Sequence, residues 1–331
     1  MRCPRLEEIP PAPAGRSGWP WTEASTPLPD QTPTGDPWPL ISIVTTNYNY
    51  GRFIEETIRS VLLQGYPNLE YVVIDGGSTD DSVEILRKYE KWLSFWVSEK
   101  DTGQAQGVNK GITRCRGEIF NWLNSDDQLQ PGALVEVGRR WRLHQPDFLL
   151  GEAVTIEASS RRVLRRWKPR APRNVLDFLW HSQEGLEIAQ PSAFLRLSLV
   201  REVGGVREEL QYVFDWALYL QLMCARRGQL KIVSMDAILS RCLSHPQAKM
   251  IKDMPQVMEE AEHLCRAVLP SLHPLERFIL KQQMEWNSLP NQISRSMAQG
   301  EGQLPRLLRL LLRHPQLVFS RFYWGAMRRA I

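Results

Sequence analysis

Cysteine is scarce in this chain of 331 residues, and the five present (Cys3, Cys115, Cys224, Cys242 and Cys265) are scattered. None forms a C-x-x-C pair, so the spacing suggests neither a zinc knuckle nor a disulfide-dense scaffold, and reduced thiols are expected. No run of 18 apolar residues occurs, so no spanning helix is expected. No apolar stretch follows Arg2 and Arg5, and no secretory leader is expected there. Charge of one sign is also lacking: 41 basic against 37 acidic residues leave +4. That is too little to argue for nucleic acid, and no nucleic-acid partner is expected. A composition 43% hydrophobic and 24% charged excludes a disordered chain, a collagen-like fibre and a coiled-coil rod. No internal repeat is visible.

Proline is present but uneven, with ten of the 23 in residues 1–39. Proline denies helix and sheet a backbone donor, so this stretch reads as a disordered or extended arm, with Trp19, Trp21 or Trp38 as its packing points. Beyond it the elements alternate. Residues 41–46 (ISIVTT), 69–74 (LEYVVI), 95–97 and 118–123 (EIFNWL) read as short apolar strands, and 53–64, 80–92 and 104–113 read as helices. The alternation predicts an α/β fold with a mostly parallel sheet covered by helices on both faces. In such sheets ligands lie beyond the carboxyl ends of the strands, which is where each polar cluster of this region falls. After residue 150 the pattern weakens. A strand over 154–156, a strand-to-helix passage over 188–222 with a Gly204-Gly205 turn, an edge strand over 232–239 and helix from 253 onward are expected.

Four clusters carry chemistry. Asp126-Asp127 follows the fourth strand. Two adjacent carboxylates repel, and Mg²⁺ or Mn²⁺ would offset that repulsion and suit a diphosphate; a solvated turn is the other reading. Asp75-Gly76-Gly77-Ser78 ends the second strand, where Asp75 can accept hydrogen bonds from a ribose or base edge and residues 78–81 can cap the next helix. At the end of the first strand, Tyr48 can stack on a base or simply sit in a turn. The fourth cluster, 99–104 followed by Asn109-Lys110-Gly111, leads from a strand into a helix.

ISIVTTNYN, YVVIDGGSTDDS, SEKDTGQAQGVNKG and GEIFNWLNSDD, in this order and spacing over residues 40–135, resemble a family 2 glycosyltransferase of the GT-A fold. The resemblance implies inverting, metal-dependent transfer of a sugar from a nucleotide-diphosphate donor, with UDP as the default nucleotide and GDP and dTDP open. It implies that Thr46 and Tyr48 contact the nucleotide, that Asp75 bonds the base, and that Asp101 and Asn109 lie on the donor side. Asp126 then faces ribose or sugar, and Asp127 binds the metal. The chain departs from the family pattern at 104–109 (QAQGVN), where relatives more often carry an aspartate and alanine before Asn109, so the donor sugar stays open. Asp215, in YVFDWAL, resembles the family's general base, and a positioned carboxylate is what a poorly nucleophilic acceptor hydroxyl requires. A carboxylate at a helix N-terminus is also favourable for structural reasons alone. His245 and Lys249 resemble a late R-x-x-H-x-x-x-K segment, with the histidine in the metal sphere and the lysine near donor phosphates. Gln190-Pro191-Ser192 marks the acceptor cavity, with Glu184 and Glu187 as neighbours. Trp180 and Trp216 are either sugar platforms or core.

The resulting plan is an arm (1–39), a catalytic domain (40–250, with a nucleotide-sugar half 40–135 and an acceptor half 136–250) and a helical extension (251–331). In the extension Arg306, Arg309 and Arg313 oppose leucines, four aromatics follow within 317–327, and no acid occurs after Glu301. Such a basic amphipathic tail suits an anionic membrane surface or packs on the domain. The basic run 161–173 reads equally as a phosphate or membrane contact and as a solvated loop. The expected partners are a nucleotide-sugar donor and a carbohydrate or lipid-linked acceptor of cell-surface polysaccharide or glycolipid synthesis. The expected place is the cytoplasm, peripheral on the inner membrane face. The rivals are a catalytically inactive, membrane-peripheral nucleotide-binding module and a nucleotidyltransferase. The second is disfavoured because residues 47–52 (NYNYGR) are not a Gly-rich loop with a nearby basic residue.

Overall fold

The computed structural model describes residues 1–175, 177–178, 188–226, 229–248, 252–278, 281 and 303–313. Trp180, Glu184, Glu187, Lys249 and the stretch 314–331 lie outside the described residues. Two compact units are present, Met1–Leu264 and Cys265–Ile331.

The first unit is built on a sheet of nine strands: β1 (Ile41–Asn47), β2 (Leu69–Asp75), β3 (Phe95–Ser98), β4 (Ile119–Asn124), β5 (Asp127–Leu129), β6 (Phe148–Glu157), β7 (Val163–Trp167), β8 (Ala193–Arg196) and β9 (Ile232–Ser244). Their order is β3-β2-β1-β4-β8-β6-β9-β5, with β7 pairing with the later part of β6, from Ala153 to Ile156. The first four strands are parallel, as the alternation predicts. The rest are mixed: β8 runs antiparallel to β4 and β6, β5 antiparallel to β9, and β9 parallel to β6. Strand β9 is not an edge. It lies between β6 and β5 and runs to Ser244, because Ser240, Arg241 and Cys242 pair with β5. It also carries three more residues than the stretch of β6 it follows. Phe148 pairs with Ile232 and Ala153 with Ser240, and the surplus is taken up at irregularities around Glu152.

The helices of this unit are α1 (Gly51–Leu62), α2 (Ser82–Tyr89), α3 (Gln104–Arg114), α4 (Ala133–His144), α5 (Leu197–Glu202), α6 (Phe214–Arg226) and the greater part of α7 (Met254–Val268). All seven residues of β1 and of β2 are buried, as a sheet covered on both faces requires. Ile41, Ile43, Tyr71 and Val73 share one core with α1, α2 and α4. Val44 faces the other way, onto α3, and the approach there is close: a Cβ on Gly111 would lie 2.4 Å from Val44 Cγ1. The architecture is α/β, with helices on a mixed sheet and a partly helical C-terminal region.

The proline-rich stretch 1–39 is not a disordered arm. Cys3, Ile9, Trp21 and Trp38 are buried, and the backbone docks through Cys3 N–H to Tyr66 O (3.0 Å), Ser25 N–H to Leu63 O (2.9 Å) and Leu28 N–H to Gly65 O (2.9 Å). Prolines lack donors but keep carbonyls, and an internal cation takes them. Arg59 of α1, fully buried, donates to Pro10 O (2.7 Å), Pro20 O (3.0 Å), Trp21 O (2.8 Å) and Tyr89 Oη (3.0 Å). Its guanidinium also lies 5.2 Å from the Trp21 ring centre. Composition counted the missing donors and could not see these four bonds from one side chain. Arg59→Met should therefore lower stability by about 3 kcal/mol or more, since it leaves several buried acceptors without partners. A lower urea midpoint at unchanged slope would show it, and an unchanged midpoint would mean that the strap is held by its tryptophans alone.

In the second unit, α8 (Gln303–Arg313) buries Leu307 and exposes Leu308 and Leu312. No helix among the described residues is long and apolar enough to cross a membrane.

Candidate active site

The carboxyl ends of β1, β2, β3 and β4 converge on one rim. At the end of β1, Thr46 is buried and its hydroxyl has no hydrogen-bond partner among the described residues, while Tyr48 is 60% exposed. Asp75 ends β2 beside Asn47 and is fully buried. Its Oδ1 accepts from Asn47 Nδ2 (2.7 Å) and Ser78 Oγ (2.6 Å), and its Oδ2 from Gly77 N–H (3.2 Å), Ser78 N–H (2.9 Å) and Ser98 Oγ (2.6 Å). A carboxylate offers about four lone-pair directions. Contact with a base would thus exchange one of these donors rather than fill a vacancy. Helix capping falls to Asp80, whose carboxylate accepts from Gly51 N–H (2.8 Å) at the start of α1 and from Ser82 N–H (3.0 Å) at the start of α2.

Asp101 accepts from Gly103 N–H (3.0 Å) and crosses over Gly76, where a Cβ would stand 2.8 Å from its Oδ2. A side chain at Gly76 would have to displace that carboxylate. Asn109 of α3 is committed elsewhere: it donates to Val206 O and Glu208 Oε1 (both 2.8 Å) and accepts from Val206 N–H (2.9 Å). It pins the loop before α6 to α3.

Asp126 and Asp127 bridge β4 and β5. His245, just past β9, places Nε2 3.0 Å from Asp126 Oδ2. The imidazole stacks on Phe53 (centroids 4.7 Å apart) and meets Tyr50 edge-on (5.8 Å), and its Nδ1 is buried without a partner among the described residues. Asp127 is buried, accepts from Asn124 Nδ2 (3.0 Å) and faces Cys242 across the β5–β9 ladder. Burial pushes its carboxyl well above the usual carboxylate range, the neighbouring Asp126 charge adds to the rise, and the bonds from Asn124 and the Cys242 thiol offset it only in part. Thr57 of α1 ties the turn from behind, donating to Ser125 O and Asp127 O (both 2.8 Å).

Among the described residues no three His, Cys, Asp or Glu side chains form a ready metal cage. The donor set nevertheless fits a hard divalent cation: a carboxylate pair short of counter-charge, and a histidine with one orphaned nitrogen. Mg²⁺ in particular is held by one or two carboxylates and completed by substrate phosphates.

Asp215 is the second residue of α6 and accepts from Trp216 N–H (2.8 Å). Burial pushes its pKa up to about 6; the Trp216 bond works against the rise and the charge of Glu260 adds to it. Phe214 lies on Trp122 of β4 (6.2 Å) and the Gln211 side chain lies over Gly103, so this segment shares the rim. Gln190 Nε2 donates to Trp122 O (2.6 Å) from the β8 side. The structure thus joins Asp126 to His245 and gathers Thr46, Asp75 and Asp101 at neighbouring strand ends. Sequence reasoning missed the donors to Asp75 (Asn47, Ser98), the thiol on Asp127 and Glu260. Asn47, Ser98 and Asn124 stand inside or beside the motif blocks, but Cys242 and Glu260 are distant and carry no local pattern.

Residues 42–204 match the family model described as Glycosyl transferase family 2. A Mycobacterium tuberculosis protein of uncharacterised function is 30% identical over 201 residues, spanning 56% of this chain and 62% of its own. The putative teichuronic acid biosynthesis glycosyltransferase TuaG of Bacillus subtilis is 38% identical over 93 residues, 27% of this chain and 37% of its own. The matched stretch thus covers less than two thirds of either relative's length. Among solved structures, S. aureus TarS 1–349 in complex with UDP-GlcNAc aligns over 87% of this chain and 90% of that one, with a TM-score of 0.61 at 17% identity, a likeness of fold. The domain at residues 42–204 is thus a Glycosyl transferase family 2 domain.

Proposed function

We propose that the chain moves a sugar, with inversion, from a UDP-sugar to a hydroxyl of a carbohydrate or lipid-linked acceptor. The observation that carries the reading is the buried Asp127 beside a half-buried Asp126 that meets His245 at 3.0 Å, set beside the strand-end rim. Tyr48 stacks on the base, Thr46 offers its free hydroxyl to the nucleotide, and Asp75 bonds the base by exchanging one of its present donors. Asp101 and Asn109 shape the donor side from the α3 end. Asp126 faces the ribose, and Asp127 with His245 holds the cation. Bound there, Mn²⁺ or Mg²⁺ would stabilise the departing nucleoside diphosphate. Asp215 takes the proton of the acceptor hydroxyl as its oxygen attacks the anomeric carbon opposite the leaving group. One displacement inverts the configuration, so a single base suffices.

The test is a thermal-shift panel of UDP, GDP, dTDP and CDP, each with and without Mn²⁺. A ligand at a hundred times its dissociation constant stabilises the fold by about 2.7 kcal/mol. A Mn²⁺-dependent shift, largest with UDP, is expected. No shift with any nucleotide would overturn the donor site.

TarS is named with UDP-GlcNAc and TuaG with teichuronic acid biosynthesis, which supports a UDP-sugar donor and a cell-surface acceptor; a cytoplasmic, membrane-peripheral place is proposed with them. The acid-free stretch after Glu301, with Leu308 and Leu312 exposed on α8, supplies the membrane contact. Deleting residues 303–331 should abolish sedimentation with anionic liposomes; unchanged sedimentation would make the tail merely structural.

A further inference from the structure

Within the first turn of helix α6, Asp215 Oδ1 accepts from Trp216 N–H (2.8 Å), while the amides ahead of the helix are met from outside it. The three residues before it, Gln211, Tyr212 and Val213, present successive amides, and neither Tyr212 nor Val213 has a side chain that caps. A carboxylate from α7 does so instead. Glu260 Oε1 accepts from Gln211 N–H (2.7 Å), and its Oε2 accepts from Tyr212 N–H (2.7 Å) and Val213 N–H (2.9 Å). One side chain nearly fifty residues downstream thus orients three consecutive peptide planes, ending two residues before Asp215. Other restraints on this segment among the described residues include the Phe214 ring on Trp122, the Gln211 amide over Gly103 and the bond between the Tyr212 hydroxyl and Asp253.

We propose that Glu260 is a positioning residue for Asp215, fixing the direction of its carboxylate and making it a stronger base. The second effect follows from charge: an anion held near a carboxylate disfavours ionisation and raises the proton affinity of the base. It rests on the reading of Asp215 as the base. The titratable groups around Asp215 among the described residues are these. Tyr219 on the same helix is buried, its phenol pushed well above the usual range by burial and by Asp215. Glu260 faces it from α7, and Tyr212 upstream meets Asp253 as well as Glu260.

The test uses the Trp216 amide, which donates to Asp215 Oδ1, as a direct reporter. The full chain is labelled with ¹⁵N-tryptophan and the Trp216 resonance is followed by NMR across pH 4.5 to 8, with Asp215→Asn to assign the inflection. The wild type should titrate near 6. Glu260→Gln keeps an acceptor for the amides and loses the charge, so the midpoint should fall by about half a pH unit or more. Glu260→Ala removes the cap as well, and the resonance itself should move or broaden. A mere helix cap would lower the melting temperature of Glu260→Ala and leave the Glu260→Gln midpoint in place. A wild-type midpoint in Glu260→Gln therefore overturns the proposal. Turnover retained by Asp215→Asn would instead overturn the base assignment, and the Trp216 titration would still stand.

Discussion

Asp215→Asn is expected to cut turnover by about 10²–10⁴-fold, the usual contribution of a positioned acid or base. Nucleotide binding should persist, since Asp215 lies on α6 rather than on the Asp126–Asp127 turn. The pH profile gives a second handle. A base works only when deprotonated, so the wild-type rate should hold above pH 6 and fall about tenfold per unit below it. The variant should lack that limb. Its stability should move the other way. A carboxyl whose folded pKa is raised from 3.8 to about 6 contributes stability that is fully present below 3.8 and lost as pH rises through 6. At pH 7 or above the native carboxylate is therefore a burden, and the amide should melt higher. Wild-type turnover in a variant that binds nucleotide normally would assign the base elsewhere.

The second large effect belongs to Asp127. Its carboxyl is raised by burial first and by Asp126 second, so the ligand-free protein carries an uncomfortable acid at its centre. Asp127→Asn keeps the shape and an oxygen to accept from Asn124. The ligand-free variant should gain on the wild type as pH rises, because the wild type progressively loses what the protonated acid contributed while the amide does not titrate. The Mn²⁺-dependent nucleotide shift should vanish and turnover should drop by roughly 10²-fold or more, as when one preorganised charge-stabilising group is removed. Calorimetry with UDP and Mn²⁺ reads both halves at once. A variant that keeps its metal-dependent shift would take Asp127 out of the cation site.

The parallel half of the fold was legible because its strands are short β-branched runs closed by polar turns. The expected 41–46 and 69–74 became Ile41–Asn47 and Leu69–Asp75. The expected helix over 104–113 became Gln104–Arg114. Legibility failed where partners decide. Strand β5 is three residues long and starts on Asp127 in what reads as a turn; only its pairing with β9 makes it a strand. For the same reason β9 extends through Arg241 and Ser244, which no apolar pattern marks. For the arm only the disordered alternative fails, since Trp21 and Trp38 are buried packing points: a proline count measures missing donors, whereas Arg59 answers the carbonyls. In the site, residue identity located Asp75, Asp101 and Asp126 at strand ends, but hydrogen-bond saturation is a property of packing. That Asn109 spends its amide on Val206 and Glu208, or that Glu260 caps α6, follows from contacts about fifty to a hundred residues apart.

The surplus length of β9 makes the site unequally tolerant of insertions and deletions. Upstream of Ser240 the strand already accommodates three extra residues against β6, so a residue gained or lost there meets a ladder that is irregular to begin with. Downstream, Ser240, Arg241 and Cys242 are locked one-to-one with β5, and His245 follows three residues later. A single-residue slip in that stretch would turn Cys242 away from Asp127 and carry His245 off Asp126, because successive side chains on a strand face opposite ways. Homologous chains should therefore vary in length before Ser240 and keep a fixed count from there to the histidine.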